Sequence, residues 1–311
     1  MASNNGKPTL RICLPPGLGD IHWVACKLEA FLAAHGATTA DAWIWDVGGP
    51  RRSAEFVYRM PFLRFMDYRP MAFEAADYNA LCWGNEQTSI ANKYGFDFVL
   101  AVNGWMEHGK PLADAMGGAA INWDYTINQL PDELAYMAEQ QARGPWMLLY
   151  FSEVAQFGTW TRYCNEHNIR RLADLLKVRF PNHRLIFVGL PWDQPLMDRA
   201  TSPHVENLAG KTHPSQYFAL LRGADAMIGF ANGNTILTSH WGVPTVMIWN
   251  RERYPNMGFR TNWVRPGAPY CPFEIEHWNE QHIVDAIANL MQAKEGHAHA
   301  AAGDTAIAPT V

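Results

Sequence analysis

Residues 223–249, GADAMIGFANGNTILTSHWGVPTVMIW, constrain the fold more than any other stretch. Residues 226–229 read as a short buried strand and 230–234 as a tight loop of polar residues and glycine. Residues 235–241 read as a helix stopped by Gly242, and 243–249 as a second buried strand. Strand, loop, helix, strand is the repeating unit of a parallel sheet, because parallel neighbours need a crossover that a hairpin cannot supply. The loop is expected to deliver free backbone N–H groups to a helix N-terminus, with Asn232, Gly233, Asn234 and Thr235 around it. Unpaired donors and the helix dipole both favour phosphate at such an end. No lysine or arginine lies in the loop, so N–H and hydroxyl groups would carry the anion. The competing reading is a capped helix, with Asn or Thr as the cap.

The same unit recurs. The second half reads as a series: a strand at 146–151, a polar loop at 152–161, a helix at 162–180, a strand at 184–188 ending at Gly189, a strand at 205–208 and a helix at 214–222. Such alternation implies a parallel sheet covered by helices on both faces. The first half opens with a strand at 10–14, the turn Gly17-Leu18-Gly19-Asp20 and a helix at 21–34 with apolar residues at helical spacing. A dinucleotide fingerprint would place a third glycine where His22 stands, which disfavours a dehydrogenase. Asp20 has two readings, a helix cap or a carboxylate at the carboxyl end of a strand, where α/β sheets place their chemistry. His22 reads as its partner or as a first-turn surface residue.

Strands are expected at 43–47, 62–68, 80–83 and 96–102, and short helices at 54–59 and 131–143. Residues 103–125 give no regular pattern. Arg51 and Arg52 read as a solvated pair or as a grip on an anionic acceptor. Gly144 and Pro145 mark a boundary between two domains, 1–144 and 145–294. Residues 251–272 read as a long arginine-bearing loop of the kind that often carries function. Residues 278–293 read as a last amphipathic helix, and 295–311 as a disordered tail.

Composition narrows the class. With 311 residues, 48% hydrophobic and 18% charged, the chain can build two ordinary cores. A net charge of −5 gives no general nucleic-acid footprint. The five cysteines are scattered without a C-x-x-C pair, which fits reduced thiols in the cytoplasm and no zinc site. No apolar run reaches the length of a membrane span, and residues 1–7 lack the apolar core of a signal peptide.

The segment Asn207-Leu208-Ala209-Gly210-Lys211-Thr212, the triplet Gly223-Ala224-Asp225, and the run from Gly229 to Gly242-Val243-Pro244 resemble the heptosyltransferase-like family of GT-B glycosyltransferases (family 9). The Gly17–Asp20 turn, and Val188-Gly189 followed by Asp193, are similar to the same family. The resemblance covers residues 146–249 well and 47–143 thinly. It implies an α/β protein of two Rossmann-like domains whose parallel sheets face each other across a cleft. The amino-terminal domain would bind the acceptor, and the carboxy-terminal one a nucleotide-diphosphate sugar. Transfer would invert the anomeric centre, with no metal and no cofactor beyond that co-substrate. Asp20 would be the general base. Gly189, Lys211, Thr212, Asn232, Gly233, Asn234, Thr235 and Arg162 would hold the donor, and His22, Arg51 and Arg52 the acceptor. That acceptor would be a glycan, a lipopolysaccharide-type core or a modified DNA base. The family has an aspartate and a histidine where Ala231 and Ile236 stand here, which puts heptose in doubt as the donor. Two alternatives stay open: a nucleotide-sugar epimerase, and a non-catalytic nucleotide-sugar-binding module.

Overall fold

The computed structural model describes residues 8–46, 53–70, 87–102, 112–152, 165–251 and 263–303, with backbone only at 87–90 and 295–303. The expected strand at 80–83, most of the polar loop at 152–161, and residues 304–311 of the expected tail lie outside the described residues. The chain divides into two compact units, Met1–Pro131 with Tyr254–Trp263, and Asp132–Arg253 with Val264–Val311.

The first unit carries β1 (Leu10–Leu14), α1 (Leu18–Ala34), β2 (Ala40–Asp46), α2 (Ser53–Val57), β3 (Leu63–Pro70), α3 (Gln87–Tyr94) and β4 (Phe98–Val99). Its four strands among the described residues are all parallel, in the order β3-β2-β1-β4. The strand expected at 96–102 shortens to two residues. Among the described residues β4 pairs only with β1, and the Asp97 N–H and Leu100 N–H reach the Arg11 and Cys13 carbonyls at its two ends. α1 is buried far beyond the apolar stripe its sequence shows: His22 and Lys27 are interior along with Ile21, Val24, Leu28 and Leu32.

The second unit carries α4 (Pro131–Ala142), β5 (Trp146–Tyr150), α5 (Glu166–Arg179), β6 (Arg184–Phe187), α6 (Gln194–Ala200), β7 (Val205–Asn207), α7 (Pro214–Gly223), β8 (Ala226–Phe230), α8 (Gly233–His240), β9 (Thr245–Trp249), β10 (Tyr270–Glu274) and α9 (Glu280–Gly303). Among the described residues its six parallel strands run β10-β9-β8-β5-β6-β7. β5, β8 and β9 are buried at every residue, as strands covered on both faces must be. Each interior side chain such as Leu148 or Ile228 contributes about 2 kcal/mol by leaving water. Against that core α5 turns Ile169, Leu172, Ala173 and Leu176, spaced i, i+3, i+4, i+7.

Several boundaries correct the sequence expectation. α5 begins at Glu166 and not at 162, because the Asn165 side chain accepts the N–H groups of His167 and Asn168 and so starts the helix there. The sequence predicts no element where α6 lies, and the expected 251–272 loop runs into the first residues of β10. β10 carries Pro272, which an edge strand tolerates because one side of it needs no ladder donor, and among the described residues β10 pairs only with β9. α9 continues ten residues past the expected end at Ala293.

Candidate functional site

In an open parallel sheet the chain order reverses between two neighbouring strands, and ligands bind beyond their carboxyl ends. In the first unit that reversal lies between β1 and β4, on either side of which the chain runs outward to β2 and β3 or back. In the second it lies between β5 and β8. β5 and β8 approach closely at their carboxyl ends because residue 229 is glycine: a side chain there would stand 2.8 Å from the Tyr150 carbonyl oxygen.

The turn after β1 leads to Gly17, the N-cap of α1, and Asp20 lies in the helix's first turn. The Asp20 carboxylate folds back over Gly17, and a methyl group on residue 17 would collide with its Oδ2. Gly17 has φ −81° and ψ 138°, a backbone any residue adopts, so its glycine is explained by room for that carboxylate. The sequence displays Gly17 beside Asp20 but gives no sign of this dependence. Asp20 is partly exposed.

His22 departs from the surface reading. It is 1% exposed, with Nδ1 2.7 Å from the Tyr125 hydroxyl and Nε2 3.7 Å from Cys26 Sγ. Burial raises the Cys13 thiol to about 12 and raises Cys26 as well, so neither is a nucleophile at neutral pH. Arg51, Arg52 and Arg162 lie outside the described residues.

After β8 the chain turns at Ala231 and Asn232 into α8. Here the structure corrects the expectation of free amides. The Asn232 side-chain oxygen accepts from the N–H of Asn234 at 2.9 Å and of Thr235 at 3.3 Å, while the Asn232 N–H donates to Thr235 Oγ1 at 3.2 Å. This is a capping box. Thr235 is fully buried, and its hydroxyl is committed to the Phe230 and Asn232 carbonyls. That hydroxyl therefore builds the cap and is not offered to a ligand. Gly233 has no hydrogen bond to its N–H among the described residues, and it is the first residue of α8. Ala231 and Ile236 are 8% and 7% exposed and bring no polar atom.

The loops after β6 and β7 leave from the same carboxyl edge of the sheet. The Gly210 N–H donates to the Gly189 carbonyl at 3.0 Å, which pins one loop to the other. Gly210 has φ +71°, and any side chain there would strike Pro191. Asp193 is fully buried and its Oδ2 accepts the Leu190 N–H, so it shapes the turn after Gly189. Lys211 is exposed and donates Nζ to the Asn207 carbonyl at 2.9 Å; Thr212 is half-buried. The structure thus brings Gly189, Lys211, Thr212 and the Asn232–Thr235 cap to the carboxyl edge of one sheet, and Asp20 to the carboxyl edge of the other.

The comparison with solved structures decides the fold. An ADP-heptose lipopolysaccharide heptosyltransferase II of E. coli superposes with a TM-score of 0.61 at 15% identity, over 93% of this chain and all of that one. A glycosyl transferase family 9 protein of Veillonella parvula matches with a TM-score of 0.61 at 13% identity, over 91% of this chain and 97% of that one. The chain has the GT-B fold. The E. coli heptosyltransferase WaaC, solved with ADP, shares that GT-B plan with a TM-score of 0.54 at 13% identity, over 90% of this chain and all of that one. By sequence, no family model and no curated protein matches the chain. Among the described residues of this GT-B protein, no helix is long and apolar enough to cross a membrane.

Proposed function

We propose that the protein is a cytoplasmic glycosyltransferase that moves a sugar from a nucleotide-diphosphate donor to an acceptor hydroxyl, with inversion and without a metal. The observation that carries this reading is the paired placement at two sheet reversals: a carboxylate, Asp20, at one, and the α8 N-terminus at the other. The likeness of fold to a heptosyltransferase solved with ADP supports the donor class.

Residues 1–144 would hold the acceptor and 145–294 the donor. In the chemistry we assign, Asp20 accepts the proton of the acceptor hydroxyl as that oxygen attacks the anomeric carbon. The bond from that carbon to the diphosphate breaks on the opposite face, and a single displacement inverts the centre. The diphosphate leaves with an added negative charge. The Gly233 N–H, the dipole of α8 and the Lys211 ammonium would meet that charge, joined by Arg162. A phosphate oxygen can also take the place of the Asn232 side-chain oxygen on the Asn234 and Thr235 amides. Arg51 and Arg52 would contact an anionic acceptor, a glycan, a lipopolysaccharide-type core or a modified DNA base. Ala231 and Ile236 offer no hydrogen bond to a sugar, which favours a donor other than heptose.

The test has two arms. A panel of nucleotide-diphosphate sugars is screened by thermal shift, and the best binder is then assayed for transfer with wild type and Asp20→Asn. A donor that raises the melting temperature of both proteins, with transfer lost only in Asp20→Asn, is the expected result. Donor binding without turnover in either protein supports the non-catalytic module instead. Conversion of the donor sugar with no acceptor present supports the epimerase.

A further inference from the structure

Trp192 stands in the loop that leaves the carboxyl end of β6, between Gly189 and α6. It is 37% exposed, and among the described residues its side chain has no hydrogen bond and no ring contact. The other large apolar side chains exposed among the described residues, Tyr58, Met66, Leu134 and Val178, belong to no loop at this edge. An indole is costly to leave in water, and aromatic side chains left open in this way serve as stacking surfaces.

The loop around Trp192 is fixed at three points. Buried Asp193 accepts the Leu190 N–H at 2.8 Å, and the Gly210 N–H ties the Gly189 carbonyl at 3.0 Å. Gly210 also lets the next loop close down: a side chain there would stand 2.9 Å from Pro191 Cα and 3.4 Å from Gln194 Oε1. The Gln194 amide therefore lies against Gly210. It is half-buried and has no hydrogen bond among the described residues, yet its polar atoms keep contact with solvent. A primary amide offers a donor and an acceptor side by side. An open ring face and an unmet amide thus sit two residues apart on a rigid loop. A planar ring with a polar edge answers both. Any nucleobase can stack on an aromatic face, whereas a glutamine amide selects by the donors and acceptors at the base edge.

We propose that the nucleobase of the donor stacks on Trp192 and has its edge read by the Gln194 side-chain amide. The inference rests on the donor reading above and adds where the base goes. β6 lies two strands from β8, across β5, or about 10 Å at the usual strand spacing. A nucleotide with its diphosphate at the α8 N-terminus crosses β5 and lays its base over the Pro191–Gln194 turn, with the ribose spanning the interval. Trp192 supplies affinity for every base, and Gln194 supplies the preference among them.

The test is calorimetric titration with ADP, GDP, UDP and CDP of wild type, Trp192→Ala, Trp192→Phe and Gln194→Leu, with the melting temperature of each variant as the check on its fold. The nucleoside diphosphate that wild type binds best should bind about tenfold more weakly to Trp192→Ala, the loss of one stacked base. Trp192→Phe should regain most of that loss, because it restores a ring. Gln194→Leu should still bind but narrow the spread of affinities among the four bases. Binding of the best nucleotide to Trp192→Ala as tightly as to wild type overturns the stacking and leaves the donor reading standing. A loss that Trp192→Phe shares in full overturns it too. A spread that Gln194→Leu leaves unchanged, or a wild type with no spread, overturns the part given to the amide. A wild type that binds none of the four sinks the donor reading and this assignment together.

Discussion

The Asp20 carboxylate occupies the space that a side chain on Gly17 would fill. Because the Gly17 backbone is in an ordinary extended conformation, Gly17→Ala does not strain the chain; it only displaces the carboxylate. We expect it to cost under about 1 kcal/mol of stability, the range for changes at a helix cap. If Asp20 is the base, transfer should fall about 100-fold, because a base must stay within hydrogen-bond reach of its proton. Rate measurements on Gly17→Ala beside Asp20→Asn check this. Full activity in the first with none in the second would mean the carboxylate's resting position is unimportant.

Gly233 offers a way to remove one N–H without breaking α8. Proline is well suited to the first position of a helix, where its missing N–H is not needed by the fold. Gly233→Pro should therefore melt close to wild type, yet bind a nucleotide-diphosphate donor about tenfold more weakly, the loss of one hydrogen bond to a charged group. Asn232→Ala should behave differently, losing about 1 kcal/mol of stability because it uncaps the helix. Calorimetric binding of the donor to both variants separates cap from contact.

Lys27 is fully buried on α1 and donates to three carbonyls, those of Leu112 and Ala113 at 2.9 Å and of Ala115 at 2.6 Å. It holds the irregular stretch after residue 111 against the helix. Lys27→Met leaves those carbonyls without their donor and should cost about 3 kcal/mol in urea unfolding. Burial lowers the ammonium pKa from 10.5, with Asp114 opposing in part. The folded state then binds fewer protons at Lys27 than the unfolded state in the window below 10.5. This lysine's term therefore makes stability rise with pH there. Unfolding at pH 8 and pH 10 should show wild type gaining more than Lys27→Met, and an equal gain in both would refute the sign.

The alternating pattern made the sheets legible: β5, β8 and β9 are apolar throughout because both faces are covered, and that leaves a plain mark in sequence. Tertiary context hid the rest. β10 is an edge strand with a proline, and its Tyr270–Glu274 segment is partly exposed along its length, so it resembles loop. His22 and Lys27 look like surface residues until Tyr125 and the carbonyls near residue 112 come to meet them from about 100 positions away. The α8 terminus was legible as a helix start, but which atoms would fill its amides was not. Asn232 can face outward or cap, and only the geometry shows that it caps.

Glu133 and Arg222 join α4 to α7, with the carboxylate fully buried and the guanidinium Nε 3.3 Å away. A buried pair of this kind is a poor source of net stability, since desolvation offsets the attraction, but breaking it from one side exposes that cost. Glu133→Ala should destabilise the protein by about 3 kcal/mol, because it strips the Arg222 guanidinium of a buried counter-charge. Arg222→Met should also destabilise, through the buried Glu133 carboxylate and through the lost stacking on Trp241. The double variant should cost less than the two single losses added together, by at least about 1 kcal/mol, since neither charge is then left behind. Additive losses in a chemical-denaturation cycle would mean that other groups balance each charge, and that α4 is held by its apolar face and the Arg143–Glu206 and Arg184–Glu206 ion pairs instead.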